Sequence, residues 1–309
     1  MRFKLSQQFH IAMILLVITA AAGLLAACNT QPAEAPTSVN TPVIATVPLP
    51  SPTIFTPESA SATPLETATR HPAPQITPAH ETPTLSAGRV TVPILLYHHV
   101  SDAGKSRYFV SIAKFKTQMQ ILEDEGYHTV SISQVAGALR EGGTLPEKPV
   151  VITFDDGFED VYQNALPVLN QHHFTGVAYI ITGTLGTNLS YGYMQSKELK
   201  ELTAAGWEIG SHSISHTNLQ TSRLGMGVEL QKSRQDLEAM LGIPVRSFSY
   251  PYGSASTWTQ DQVKKYGYED AVGLGIEVTQ TAKRLFYLSR REVYHSYDLK
   301  DFRNLLSPG

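Results

Sequence analysis

Two short motifs place residue types that bind metals and move protons directly after predicted strands. Asp155 and Asp156 follow the apolar run 150–154, while His212 and His216 stand four residues apart. Two carboxylates this close need a cation beside them, or one of them must take a raised pKa. Histidines at this spacing, on one helical turn or in a tight loop, can reach a single metal ion. Asp156 with both rings would leave a coordination position open for water, which is the layout of a catalytic rather than a structural zinc site.

Each motif also has an ordinary interpretation when it is considered alone. The Asp-Asp-Gly sequence is a common turn, in which Asp156 would cap the following helix. Two histidines four residues apart are, by default, solvated side chains. The combination of the two motifs is therefore what favours a metal site.

The elements that must position these residues alternate between strand and helix from residue 91 onward. Strands are predicted at 92–97, 150–154, 176–181, 207–209, 245–250, 271–274 and 285–288. Helices are predicted at 112–125, 131–139, 161–169, 197–205, 228–241, 257–266 and near 299–306. This alternation predicts an α/β protein with a parallel sheet or barrel. Reactive groups in such folds lie at the carboxyl ends of the strands, and polar clusters follow the predicted strands at 97–99, 153–157, 211–216 and 250–253.

The composition divides the chain into three parts. Residues 1–27 have a charged start and an apolar run, the pattern of an export signal. Twelve of the 19 prolines then fall within 28–90, where threonine is dense and aromatic residues are nearly absent, so this segment is predicted to be a disordered tether. Residues 91–309 are left as the one domain able to form a core. A net charge of -3 without a basic stripe argues against nucleic acid as a partner.

The only cysteine, Cys28, excludes a disulfide framework and a multi-cysteine zinc site. It ends the sequence Leu-Ala-Ala-Cys, which resembles the lipobox of bacterial lipoproteins and implies cleavage before Cys28 and lipidation of its thiol. A retained transmembrane helix is the alternative, because about 17–18 apolar residues are at the lower limit for spanning a bilayer. In both cases we expect a membrane-attached monomer with its domain outside the cytoplasmic membrane, at the cell surface or in the periplasm.

The motifs TFDDG at 153–157, HSISH at 212–216 and SYPYG at 249–253 together resemble the polysaccharide deacetylases of carbohydrate esterase family 4, which share the NodB-homology domain. The order and spacing of the motifs agree with that family over nearly all of residues 91–309. The resemblance implies a distorted (β/α) barrel of about seven parallel strands. It also implies an enzyme that removes acetyl groups from a polysaccharide.

The resemblance assigns a role to each motif residue. Asp155 would be the general base, and Asp156, His212 and His216 would hold a divalent metal, Zn²⁺ in the first place with Co²⁺ or Ni²⁺ as alternatives. The backbone N–H of Tyr252 would help to stabilise the oxyanion that forms when water attacks the acetyl carbonyl. The alternative for Tyr252 is a turn without a catalytic part.

Two positions depart from the usual family pattern. Ser249 stands where the family has an arginine that orients the base, and Arg290 stands where a late Leu-x-His motif supplies the general acid. Both changes resemble the poly-N-acetylglucosamine deacetylase branch, in which the acid is a histidine of the first strand. The resemblance therefore implies that His98 is the general acid and that Arg290 orients the base.

Alternatives to these two assignments stay open in the sequence. His99 could replace His98, since strand alternation sends only one of them inward. Arg291 or Arg246 could replace Arg290, which could instead form a surface ion pair, and His98 could be a structural histidine. Three aromatic residues could stack on sugar rings or simply pack, namely Tyr191, Tyr193 and Trp207.

The expected function is metal-dependent hydrolysis of N-acetyl groups on an extracellular polysaccharide containing N-acetylglucosamine, with release of acetate. An O-acetyl xylan esterase of the same family is the enzymatic alternative. A catalytically inactive glycan-binding lipoprotein is the alternative from another class, and the two departures from the family pattern are the reason to consider it.

Overall fold

The computed structural model describes residues 84–187, 192–223 and 225–307. The predicted export signal, Cys28 and the tether up to residue 83 lie outside the described residues, as does Tyr191. Residues 84–90, which the composition assigns to the tether, contribute to two strands that pack on the domain. No helix among the described residues is both long enough and apolar enough to cross a membrane.

Seven parallel strands close into a barrel, which confirms the predicted fold class. In chain order these are β3 (Ile94–Tyr97), β8 (Pro149–Phe154), β9 (Val177–Ile180), β10 (Glu208–Ser211), β11 (Ser247–Ser249), β12 (Asp270–Leu274) and β14 (Leu288–Glu292). Each strand pairs with the next along the chain, and β3 closes the ring by pairing with both β14 and β8. The carboxyl ends of all seven therefore meet at one rim.

Short strands surround the barrel, most of them only two residues long and without a detectable sequence pattern. They are β1 (Thr84–Leu85), β2 (Arg89–Thr91), β4 (His99–Val100), β5 (Phe109–Val110), β6 (His128–Thr129), β7 (Gly143–Thr144) and β13 (Thr279–Thr281). β1 pairs with β7 and β2 pairs with β13, both antiparallel, whereas β4 lies parallel to β5. Strand β4 directly follows the carboxyl end of β3, so the parallel β4–β5 pair lies at the barrel rim.

Within the described residues, six α-helices lie between the strands and a seventh follows the last strand. They are α1 (Ile112–Asp124), α2 (Ile132–Glu141), α3 (Leu166–Gln171), α4 (Ser196–Ala204), α5 (Ser233–Leu241), α6 (Thr257–Lys265) and α7 (Leu299–Leu306). The side chains of Ser111 and Ser131 cap α1 and α2, and Gly242 ends α5 in the left-handed conformation. The predicted helices 161–169 and 228–241 each begin as a π-helical turn, at Val161–Ala165 and Val228–Lys232.

The last barrel strand differs from its prediction. The apolar run suggested a strand at 285–288, but β14 begins only at Leu288 and continues through Arg290 and Arg291. Both arginines are buried. Charged residues in a sequence argue against a buried strand. The predicted strand therefore ends at residue 288, where the observed strand begins.

Side chains alternate along each barrel strand, so that every second residue points into the barrel. Val151, Val177 and Leu288 share one apolar cluster inside it. Thr153 and Arg290 each follow a residue of this cluster by two positions, toward the rim, and Ser249 of β11 contacts Arg290. All three residues are polar and buried. The barrel therefore has an apolar floor and a polar layer directly beneath its open end.

Candidate active site

The three predicted metal ligands meet at the barrel rim. One ligand atom each of Asp156, His212 and His216 lies within 4.8 Å of the others. Oδ1 of Asp156 is 3.5 Å from Nε2 of His212 and 3.6 Å from Nε2 of His216. That oxygen is buried and finds no hydrogen-bond partner within the described part of the chain. An unsatisfied carboxylate oxygen with two imidazole nitrogens beside it fits a divalent metal ion.

The backbone around these ligands is held in an unusual conformation. Asp156, Ser213, His216 and Tyr252 have φ between 57° and 75°, which makes four of the six non-glycine residues with positive φ among the described residues. Such conformations persist only where the surroundings fix them, and they concentrate at functional sites. The loops that carry the predicted ligands therefore adopt backbone conformations that are unfavourable in themselves and that the surrounding structure imposes.

The protonation of the ligands also suits a cation. Burial, followed by the negative charge of Asp155, raises the pKa of Asp156 to about 7. Burial lowers the pKa of His212 to about 4, and it also lowers the pKa of His216. Both rings are therefore neutral near pH 7. His212 Nδ1–H donates to the carbonyl oxygen of Ser249 over 2.8 Å, which leaves its Nε2 lone pair for the metal.

Arg290 holds Asp155 from below. Its Nη1 donates to Oδ1 of Asp155 and its Nη2 to Oδ2, each over 2.7 Å. Ser249 adds a third bond, from its Oγ to Oδ2 over 3.0 Å, and accepts one from Arg290 Nη2 over 2.9 Å. Burial favours the neutral carboxyl, but the charge and the hydrogen bonds of Arg290 outweigh it, so the pKa of Asp155 lies well below its ordinary value. Asp155 is thus an oriented carboxylate that is ionised in the resting site.

The two alternative arginines lie elsewhere. Arg291 donates to backbone carbonyls, among them Ile276 and the end of α7. Arg246 pairs with Glu269 over 2.9 Å, and both side chains are exposed. The hydrogen bonds of both arginines go to groups other than Asp155, so the geometry favours Arg290 as the residue that orients it.

His98 and His99 both line the cavity at the rim, in different surroundings. The ring of His98 packs against Tyr108 at 4.6 Å between centroids, and its Nδ1 lies 3.8 Å from Glu292 Oε1. Burial lowers the pKa of His98 to about 3, although the charge of Asp155 opposes this shift. The imidazole is therefore neutral in the resting site.

His99 is held tightly on three sides. Its ring is stacked between those of Phe109 and Phe158, at 3.9 and 3.7 Å between centroids. Its Nδ1 lies 2.7 Å from Asp160 Oδ2. These contacts connect β4 with the chain after β8 and give His99 a structural role. They favour His98 over His99 as the general acid.

Tyr252 lies next to the metal ligand His216. It is in the turn Pro251–Gly253 after β11, it is 62% exposed, and its ring is 4.6 Å from that of His216. Tyr252 lines a cavity of about 770 Å³ that is also lined by Asp155 and the metal ligands. This volume is typical of a small-molecule or sugar site.

The three aromatic candidates differ. Tyr193 lines the cavity and packs on Phe158 at 5.1 Å between ring centroids. Trp207 is buried, stacks on Phe154 at 5.3 Å and has no place in the cavity lining, so its sugar-stacking interpretation is wrong. Tyr191 lies outside the described residues.

Sequence reasoning missed two acidic residues around the site. Glu292 follows Arg290 by two positions in β14 and therefore faces the same cavity, which a correct placement of that strand would have shown. Glu229 contacts the loop between His212 and His216 from a distant helix. No local pattern in the sequence announces that contact.

Comparisons with known proteins agree with this geometry. Residues 142–271 match the family model described as polysaccharide deacetylase. The Bacillus subtilis protein YxkH, a polysaccharide deacetylase by name, is 30% identical over 182 residues, which cover 59% of this chain and 63% of YxkH. This chain thus spans less than two thirds of the length of YxkH.

The matches to a second relative and to one solved structure cover a larger share of those proteins. The poly-β-1,6-N-acetyl-D-glucosamine N-deacetylase of Staphylococcus aureus is 25% identical over 207 residues, covering 63% of this chain and 71% of that protein. The Streptococcus pyogenes deacetylase PplD, solved in complex with acetate, has a TM-score of 0.65 and 25% identity, covering 71% of this chain and 99% of that one. The family match contains Asp155 and the metal ligands, whereas His98 and Arg290 lie outside it.

Proposed function

We propose that this domain is a polysaccharide deacetylase, the family whose model matches residues 142–271, and that it hydrolyses N-acetyl groups of a polysaccharide containing N-acetylglucosamine and releases acetate. One observation carries the proposal. An ionised carboxylate, Asp155, lies in the same cavity as the ligand triad Asp156, His212 and His216, and Arg290 fixes its orientation. A general base next to a metal triad is the equipment for hydrolysis of an unactivated amide.

A divalent cation at the triad would polarise both the attacking water and the acetyl carbonyl. Zn²⁺ is the preferred ion because it favours nitrogen and oxygen ligands with one position left open, and Co²⁺ or Ni²⁺ could replace it. Three of the roughly four acceptor positions of the Asp155 carboxylate are taken by Arg290 and Ser249. The position that is left, on Oδ1, is available for the proton of the attacking water.

The leaving amine also needs a proton. In the overall balance, water gives its hydroxyl to the acetyl carbon and its proton to Asp155, the carbon–nitrogen bond breaks, and the nitrogen gains a proton. We assign that last delivery to His98. Because His98 is neutral at rest, it must take up a proton from solvent during the reaction, as negative charge develops on the substrate beside it, and Asp155 afterwards returns the proton of water to solvent. The backbone N–H of Tyr252 is assigned to stabilise the same charge.

A polymeric substrate is supported by the shape of the rim. A second cavity of about 550 Å³ shares Leu274, Arg290 and Glu292 with the first, and Tyr294 and Tyr297 form part of its wall. This arrangement offers space for a neighbouring sugar beside the reacting one. The likeness to the Staphylococcus aureus enzyme supports N-acetylglucosamine as the sugar, in preference to acetylated xylan.

The cellular setting is part of the same proposal. The charged and apolar start of residues 1–27, the Leu-Ala-Ala-Cys sequence and the proline-rich tether up to residue 90 support a lipoprotein anchored through Cys28. A tether of this kind would hold the domain away from the membrane surface, as an extracytoplasmic monomer within reach of a glycan.

Acetate release distinguishes the candidate functions. The purified protein is incubated with N-acetylglucosamine oligomers and with acetylated xylan, with and without a chelator. Chelator-sensitive acetate release from the N-acetylglucosamine oligomers supports the proposal. Preferential release from xylan favours the O-acetyl esterase, and binding of either glycan without release favours the inactive glycan-binding lipoprotein.

A further inference from the structure

We propose that Glu229 is a positioning residue that sets the metal affinity of the site by fixing the loop between His212 and His216. The inference rests on the proposed function only in that it concerns the same metal triad. Glu229 is neither a predicted ligand nor part of the cavity lining. It acts through the backbone that carries the two histidines.

The contacts of Glu229 converge on the centre of this loop. Oε2 accepts a hydrogen bond from the backbone N–H of Ile214 over 2.8 Å and another from that of Ser215 over 3.0 Å. Oε1 accepts a third from the Ser215 hydroxyl over 2.6 Å. These three hydrogen bonds together form a clamp that fixes the backbone at the centre of the loop.

The loop needs such a clamp because its conformation is costly. Ser213 and His216 both have left-handed backbones, with φ of 68° and 57°. The Ser213 hydroxyl accepts from the backbone N–H of His216 over 3.0 Å, and Gly183 N–H donates to the Ile214 carbonyl over 2.9 Å. Left-handed backbone in residues other than glycine persists only where several contacts impose it, and Glu229 supplies three of them.

The helix that carries Glu229 is anchored at the other end of the same loop. Glu229 lies in the π-helical turn Val228–Lys232 that precedes α5, a form of helix that is frequent at functional sites. One turn later the hydroxyl of Ser233 lies 2.8 Å from that of Ser211, the residue before His212. The helix thus holds both the start and the centre of the loop.

Removal of the clamp should loosen His216 more than His212. His212 is fully buried and is bonded through Nδ1 to Ser249, whereas the side chain of His216 is 28% exposed. We therefore expect the loss of Glu229 to weaken metal binding while the Asp155–Arg290 pair stays intact. Groups outside the ligand set of a metal site typically change its affinity by about 10- to 100-fold.

The test is the dissociation constant for Zn²⁺, measured by calorimetry or chelator competition on the full chain. Glu229→Ala should raise the Kd at least tenfold. Glu229→Gln should stay within about threefold, because its amide oxygen still accepts from the backbone. Glu229→Asp keeps the charge but loses reach, so it should also raise the Kd, and it provides a second reading if the alanine variant does not fold.

Glu238 in α5 offers a matched control. Its Oε1 accepts from the backbone N–H of Val245 over 3.0 Å and from Nε of Arg234 over 3.1 Å, away from the metal loop. Glu238→Ala should lower the melting temperature and leave the Kd for Zn²⁺ unchanged. A Kd within threefold of the parent in both Glu229→Ala and Glu229→Asp, or an equal rise in Glu238→Ala, would overturn the proposal. Metal binding is measured without substrate, so a failure to release acetate would count against the proposed function and not against this role.

Discussion

Arg290 meets Asp155 in a two-pronged contact, with one 2.7 Å hydrogen bond from each Nη atom to each carboxylate oxygen. Arg290 is only 1% exposed, so its charge is buried against the carboxylate of Asp155. The arginine comes from β14 and passes beneath Ser249, whose small side chain leaves room for the guanidinium and bonds both partners. The two positions that depart from the expected deacetylase pattern, Ser249 and Arg290, are thus in direct contact with each other and with Asp155.

Arg290→Lys should separate the charge of this arginine from its geometry. A lysine keeps the positive charge but cannot form two parallel bonds to one carboxylate. We expect kcat to fall by about 10²-fold, since a small misplacement of a reacting group has that cost. Steady-state kinetics on N-acetylglucosamine oligomers measure the effect, with Arg246→Lys as a surface control. A kcat within twofold of the parent would show that orientation by the guanidinium is unimportant.

Metal affinity should depend on pH through Asp156. Its pKa is raised to about 7 by burial and by Asp155, so below pH 7 a proton must leave before the metal binds. The Kd for Zn²⁺ should therefore rise about tenfold for each unit from pH 7 down to pH 5.5 and be nearly constant above pH 7.5. His212 does not add to this slope, because burial lowers its pKa to about 4. Calorimetry across this range would contradict the prediction if the Kd were flat.

Asp156→Asn should stabilise the metal-free protein. A carboxyl whose folded pKa of about 7 exceeds its unfolded value favours folding when it is protonated, so its contribution declines as the pH rises from about 4 to 7. At pH 8 the asparagine variant should exceed the parent by up to about 4 kcal/mol in free energy of unfolding. Urea unfolding in chelator measures this difference. Equal stability of the two proteins at pH 8 would argue against a strained carboxylate pair.

A second buried carboxyl, Asp270, also contributes to the pH dependence of stability. It is buried, neither of its carboxylate oxygens has a hydrogen-bond partner among the described residues, and burial raises its pKa as well. Its contribution to the pH dependence has the same sign but is shared by the parent and by Asp156→Asn. The difference between the two curves therefore isolates Asp156.

His98→Ala and His99→Ala should have opposite consequences. Loss of the proton donor should lower kcat by about 10²–10⁴-fold, with little change in melting temperature. Loss of the stacked His99 should instead lower the melting temperature, because it removes a ring packed between Phe109 and Phe158. Kinetics and thermal unfolding of both variants provide the measurement. If His98→Ala retains the parent kcat, proton delivery belongs to another group.

The sequence predicts this fold and part of this site because local patterns govern both. Apolar runs place most of the barrel strands, and the ligand motifs directly follow two of them. The last strand is misplaced because the arginines in it are buried, and the charge of Arg290 is paired with Asp155, 135 residues away. The contacts of Glu229 and the inward course of Glu292 likewise depend on pairings between distant segments. Hydrophobic periodicity carries no information about them.

In the proposed reaction, Asp155 and a metal held by Asp156, His212 and His216 together hydrolyse an N-acetyl group. Acetate release from N-acetylglucosamine oligomers, by the parent and by Asp155→Asn, tests it most directly when each protein is assayed after chelation and again after Zn²⁺ is restored. The account predicts that chelation abolishes release by the parent, that Zn²⁺ restores it, and that Asp155→Asn still binds Zn²⁺ but releases acetate at least about 10²-fold more slowly. Release that persists in chelator, or an Asp155→Asn variant as fast as the parent, would contradict it.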